Sequence, residues 1–380
     1  MVLGVFLDVS AAFNCLDRRS LFHKILENIG YDDKAISWFR SYLSGRRQVV
    51  EVGDIKSNWA EVDIGTPQGS VLGPLIFIVY IHFILSKIHE RKTCEIVTYN
   101  DDTSLLFVTD PASINGEFIR ISEEISAAID IFSSFGLKVN KAKSDAILFR
   151  ASSRNFDLPK IRLGDVYGVP SKSVKCLGVI LHERLSWKDH VLSLKPKCYA
   201  VVAMLRRLRV VGVPLEGLFM VYKALLVPVL SYCISLWGSG YDTAVHSARI
   251  MQNDAVRAIP NVKRIESVRP HFESFDLLMV DQLKDIAVAL LAFKSDRSIL
   301  PEGVIPPLRA KVARSNRRPT AFEVPMARKT YLRQSLTYLL PKAWGSIPKR
   351  IRSLRSRKSF VREVKKLLKI RSCASCDEIL

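Results

Sequence analysis

Two apolar, β-rich runs, Glu95-Ile96-Val97-Thr98 and Thr103-Ser104-Leu105-Leu106-Phe107-Val108, are separated only by Tyr99-Asn100-Asp101-Asp102, which leaves room for nothing but a tight hairpin. The turn sets two carboxylates side by side. Their repulsion raises one of the two pKa values unless a divalent cation neutralises them. Short acidic turns are also common on solvated surfaces, so the tetrapeptide gains meaning only from its company.

A third carboxylate stands upstream. Val2-Leu3-Gly4-Val5-Phe6-Leu7 is a continuous apolar run of the kind that forms a buried strand, and Asp8 ends it. If the two strands lie together, Asp8 approaches Asp101 and Asp102, the arrangement that holds two Mg²⁺ roughly 3.5–4 Å apart for in-line attack on a phosphoryl group. Between the acidic sites lies Gly65-Thr66-Pro67-Gln68-Gly69-Ser70-Val71-Leu72-Gly73-Pro74, a stiff turn in which glycines let backbone approach a ligand and Ser70 can cap the following helix.

The order Asp8-Val9-Ser10-Ala11-Ala12-Phe13, then the Pro67-Gln68-Gly69 turn, then Tyr99-Asn100-Asp101-Asp102 resembles motifs A, B and C of a reverse transcriptase palm. Gly136 to Ser144 is similar to motif D. Cys176 to Leu181, with Leu185-Ser186-Trp187 and His190, resembles motif E of non-LTR (LINE-type, jockey-like) retrotransposons. Tyr222, Pro228, Tyr232 and Trp237 match the thumb-side pattern of those elements, and Ala343 to Phe360 their C-terminal segment.

This resemblance implies RNA-directed DNA synthesis from a 3′-hydroxyl, with an RNA template, a DNA primer, deoxynucleoside triphosphates and two Mg²⁺ ions. By the same resemblance Asp8 and Asp101 hold the metals, Val9 offers its carbonyl, and Asp102 completes or orients the cluster. Phe13 lies under the incoming sugar and excludes a 2′-hydroxyl, Gln68 and Gly69 meet the nascent base pair or template, and Lys143 serves the leaving pyrophosphate. Asn100 departs from the family, which usually has alanine there. The family also carries fingers and usually an endonuclease before motif A, whereas this sequence begins at motif A, so a fragment truncated there is expected. The alternatives are a non-catalytic nucleic-acid-binding remnant and an RNA-templated RNA polymerase; Phe13 and the Pro67-Gln68-Gly69 turn speak against the latter.

Alternating strand and helix signals over the first half predict an α+β palm at 1–150 with motifs A to D, then a motif E region at 151–190, with a Pro- and Gly-bearing passage at 150–172 that reads as rich in loops. Helical periodicity predicts a thumb and connector at 191–300. A basic C-terminal region, 301–380, is expected to open with a flexible linker at 301–330 and to end in a helix at 356–370 capped by Ser356. Of the net charge of +20, residues 306–372 hold 20 Lys/Arg against Glu323 and Glu363, so phosphate contact is expected of the tail. Arg317-Arg318 and Lys349 to Lys358 also fit a nuclear address, and nucleus and cytoplasm are both expected locations. The seven scattered cysteines read as reduced thiols of an intracellular protein, and Cys373-Ala374-Ser375-Cys376 lacks a second ligand pair for zinc. Val71 to Leu85 is too short, and too broken by Gly73 and Pro74, to span a membrane.

Overall fold

In the computed structural model, which describes residues 1–151, 158–240, 242–300, 308 and 324–374, the chain divides into two units. The first comprises Met1–Gly178 with His182–Arg184, the second Val179–Leu181 with Leu185–Leu380.

The first unit is α+β. Its sheet has four antiparallel strands in the order Asp145–Phe149, Val2–Leu7, Asp102–Val108, Glu95–Tyr99. Because strand side chains alternate, Leu3, Val5 and Leu7 point to one face with Leu105, Phe107, Ala146 and Leu148, and all of these are buried. The same core takes in Phe77, Tyr80 and Ile84 of the Gly73–His89 helix and Phe118, Ile121, Ile125 and Phe132 of the Ile114–Ser134 helix. The opposite face carries Phe6, Ser104 and Asp145, and it is the face on which Asp8 emerges.

Residues 47–61 form a hairpin of two short ladders, Arg47–Gln48 with Ala60–Glu61 and Glu51–Val52 with Ile55–Lys56. Within the passage expected to be rich in loops, 150–172, Ile161–Leu163 pairs with Val166–Gly168 around Gly164 at φ +66°. Three-residue strands are too short for periodicity to declare them. Residues 152–157 lie outside the described part.

The second unit is mostly helical. Lys188–Val210 packs on Asp242–Ala258, and the helical run that starts at Leu215 is broken at Cys233, whose φ is +49°, before Ile234–Trp237. Buried Gln252 donates to Tyr222 Oη at 2.9 Å and to the Leu278 carbonyl at 2.8 Å, and accepts from the Val280 amide at 2.9 Å, so one amide side chain joins three segments. The Val280–Asp296 helix meets Leu336–Ser346 and Arg357–Ala374 around Phe293, Trp344 and Phe360. Ser356 Oγ accepts from the Ser359 amide at 3.4 Å at the start of the last helix. The linker expected at 301–330 and the pair Arg317-Arg318 lie almost wholly or wholly outside the described residues. Among the described residues no helix is long and apolar enough to cross a membrane.

Candidate active site

Register brings the acidic residues together. Leu7 pairs with Thr103 and Tyr99 with Asp102, which carries Asp8 to the level of Asp102 on the face away from the core. The turn between the strands is two residues long, and Asn100 takes the left-handed conformation, φ +55°. Asparagine enters that region far more readily than alanine, which accounts physically for the amide in this turn.

Asp8 itself is held through its backbone. Its amide donates to Ser144 Oγ at 3.2 Å, its carbonyl accepts from the Asn140 amide at 2.7 Å, and the next residue, Val9, pairs with Val139. The Asn140 carbonyl closes the following turn by accepting from the Lys143 and Ser144 amides at 3.1 and 2.9 Å. Asp8, Asp102 and Lys143 thereby line one cavity of about 130 Å³, together with Asp145 and Cys176. Asp101 stays on the hairpin tip outside that lining. Partial burial, reinforced by the charges of Asp101 and Asp8, pushes the Asp102 carboxyl above its usual value. Burial and then Asp102 push the Cys176 thiol up. Among the described residues no group of three His, Cys, Asp or Glu side chains converges as a metal site.

The sequence shows Asp145 as the first residue of a short strand and gives it no site role, although its position two residues after Lys143 is a usable signal. It pairs in register with Phe6, and its Oδ1 accepts from Ser171 Oγ at 2.8 Å.

The Gly65–Ser70 turn lies against the Ala11–Leu16 segment. The Gly65 amide donates to the Leu16 carbonyl at 2.8 Å and the Thr66 amide to the Phe13 carbonyl at 2.9 Å. Gln68 Nε2 reaches Asn14 Oδ1 at 2.8 Å. Ser70 Oγ accepts from Gly73, the first helical residue, at 3.0 Å, while Leu72 stands at the cap position itself. Half-buried Phe13 lies on Phe77 with ring centroids 4.4 Å apart. Gly69 is exposed at φ +77° with open space where a side chain would stand. Buried Arg18, also unnoticed in the sequence, ties this layer down by donating to the carbonyls of Gly65, Leu43 and Val62.

The carboxylates of Asp8 and Asp102 present oxygen donors of the kind a hard divalent cation takes, and the burial and like charge that raise the Asp102 carboxyl are what such a cation offsets.

Residues 2–181 match the family of reverse transcriptases (RNA-dependent DNA polymerases). The probable RNA-directed DNA polymerase from transposon BS of Drosophila melanogaster is 28% identical over 263 residues, covering 67% of this chain and 28% of that protein. The RNA-directed DNA polymerase from mobile element jockey of the same organism is 26% identical over 267 residues, covering 68% and 28%. The putative 115 kDa protein in type-1 retrotransposable element R1DM is 26% identical over 252 residues, covering 64% and 23%. The chain thus spans about a quarter of the length of these relatives. Among solved structures, apo telomerase from Candida Tropicalis aligns with a TM-score of 0.42 at 12% identity, covering 80% of this chain and 52% of that one.

Proposed function

From the membership of residues 2–181 in the reverse transcriptase family, we propose that this chain carries the palm (1–150), motif E region (151–190) and helical thumb (191–300) of a non-LTR retrotransposon polymerase that copies RNA into DNA from a primer 3′-hydroxyl. One observation carries the reading: Asp8, Asp102 and Lys143, far apart in sequence, line one cavity.

Asp8, Asp101 and Asp102, with the Val9 carbonyl, are the groups that would hold magnesium. The chemistry supplied by a bound pair of ions is neutralisation of charge on the attacking and leaving oxygens. Lys143, which lines the same cavity as Asp8 and Asp102, is the group that would protonate or neutralise the departing pyrophosphate. Phe13, packed on Phe77 at an interplanar angle of 31°, is a rigid floor that selects deoxynucleotides by leaving no room for a 2′-hydroxyl. Gln68, oriented by Asn14, and Gly69 face the nascent base pair. The C-terminal region binds nucleic-acid phosphates.

The test is primer extension on an RNA template with Mg²⁺. Asp8→Asn and Asp101→Asn should each reduce synthesis at least about 10³-fold, roughly 4 kcal/mol of barrier, with nucleic-acid binding retained. Phe13→Val should admit ribonucleotides. Equal loss of both nucleotide classes in Phe13→Val would reduce the ring to core packing. Binding without synthesis by the parent chain would favour the non-catalytic remnant.

A further inference from the structure

The second unit holds a cavity that the polymerase chemistry does not use. It measures about 280 Å³ and lies among the helices Val280–Asp296, Leu336–Ser346 and Arg357–Ala374. Val288, Leu339, Ile347, Val364 and Leu367 give it an apolar floor, and Val288, Ile347 and Val364 are buried core residues. Its rim is polar, with Lys284, Asp285 and Lys342 in the lining. Helical spacing brings floor and rim together, since Leu339 and Lys342 stand three residues apart on one helix and Lys284 and Val288 four apart on another.

The rim carries a positive excess. Lys284 Nζ meets Asp285 Oδ1 at 3.3 Å, a contact between chain neighbours open to solvent that holds the lysine only weakly. Lys342 is exposed, with its ammonium 5.7 Å from the centre of the Tyr338 ring, and brings a second positive charge against the single carboxylate. Gly238 lets the stem of Lys284 run close to the backbone, because a Cβ there would stand 3.2 Å from Lys284 Cγ. Ser239, the next residue, also lines the cavity, and its hydroxyl is buried with no hydrogen-bond partner among the described residues. A buried hydroxyl of that kind costs free energy that a ligand oxygen offsets. An apolar floor with two ammonium groups and one such hydroxyl complements a molecule that has an apolar body and an anionic head.

We propose that this cavity binds a small aliphatic carboxylate, with its chain on the apolar floor and its head group on Lys284 and Lys342. The volume sets the length: a cavity of about 150 Å³ accepts a benzene ring, so about 280 Å³ admits a chain of roughly eight to ten carbons. A carboxylate suits the rim better than a neutral head, because it accepts from both ammonium groups and from the Ser239 hydroxyl in charge-assisted bonds. Bound there, the ligand bridges three helices and stabilises the second unit by mass action. The site shares no residue with the cavity of Asp8, Asp102 and Lys143, so it is tested apart from the polymerase reading.

Isothermal titration calorimetry of the full chain with hexanoate, octanoate, decanoate and dodecanoate, each kept below micelle formation, tests it. Affinity should rise about three- to fourfold per methylene and level off at roughly eight to ten carbons, where the floor is covered. Octanol should bind about tenfold more weakly than octanoate. Lys284→Gln/Lys342→Gln should erase that difference, lowering octanoate affinity about tenfold and leaving octanol within about twofold. Ser239→Ala should weaken octanoate about threefold. Ala343→Phe, which sets a ring in the cavity, should abolish binding of both ligands while a thermal melt shows the protein folded; the lysine variant decides the matter if that protein does not fold. No octanoate binding by the parent, equal binding of octanol and octanoate, an affinity that climbs without a break through dodecanoate, or unchanged octanoate binding in the lysine variant would each overturn the site. So would capture of phosphatidylglycerol vesicles by a chain that ignores free octanoate, since the lysines would then serve a lipid surface.

Discussion

Asp102 carries the electrostatic strain of the site on one side chain. A carboxyl whose pKa is raised on folding binds more protons folded than unfolded. Its stabilising contribution is therefore complete below the unfolded value near 3.8 and is lost as pH rises through the folded value. At neutral pH the ionised group opposes the fold. Asp102→Asn should accordingly raise the melting temperature at pH 7 without divalent cations, by an effect well under about 1 kcal/mol because solvent screens this exposed group. The gain should vanish toward pH 4, and added Mg²⁺ should narrow it by stabilising only the parent. Thermal melts of both proteins across pH would show it, and a gain that grows as pH falls would contradict a carboxyl raised by burial and like charge.

Among the elements, the turn from Gly65 to Gly69 contains two glycines that do different work. Both adopt positive φ, +73° and +77°, but a Cβ on Gly65 would stand 2.8 Å from the Asn14 carbonyl oxygen, while one on Gly69 would meet nothing. Gly69→Ala should cost only the left-handed strain, about 1–2 kcal/mol. Gly65→Ala must also part the turn from the Asn14 backbone, and should cost about 3 kcal/mol or more in a denaturant titration. Equal costs would show that the contact yields easily. The sequence already held the hairpin at Asn100, the strand before Asp8 and the helices that cover the sheet, because each is written in local periodicity and turn residues. The hairpin at 161–168 was too short to leave such a trace. The role of Arg18 was illegible for another reason: Leu43, Val62 and Gly65 have no sequence relation until their carbonyls gather around its one guanidinium. The placement of Asp101 outside the cavity shared by Asp8 and Asp102 also depends on the turn's backbone, which composition does not encode.

Over the whole molecule, the basic C-terminal region is more than a charged tail, since Trp344 and Phe360 close a core on Phe293. Removing it would strip an apolar face as well as charge, so the contribution to nucleic-acid affinity proposed for it is better tested by substitutions at exposed positions such as Arg357, Lys358 and Arg362 than by deletion. A related constraint governs where the chain can be cut. Arg150 is buried with its Nη2 on both carboxylate oxygens of Glu183 at 2.9 Å, and the two residues are also joined by a backbone hydrogen bond of 2.9 Å. Glu183 belongs to the first unit although Val179–Leu181, just before it, belongs to the second. A protein ended at Gly178 would keep the guanidinium and lose its carboxylate, a loss of about 3–5 kcal/mol for a broken buried pair. Ended at Arg184 it keeps both. Expressed side by side, the longer fragment should resist protease and unfold cooperatively while the shorter is degraded, so the usable border of the first half lies six residues past the point where its main run of chain stops.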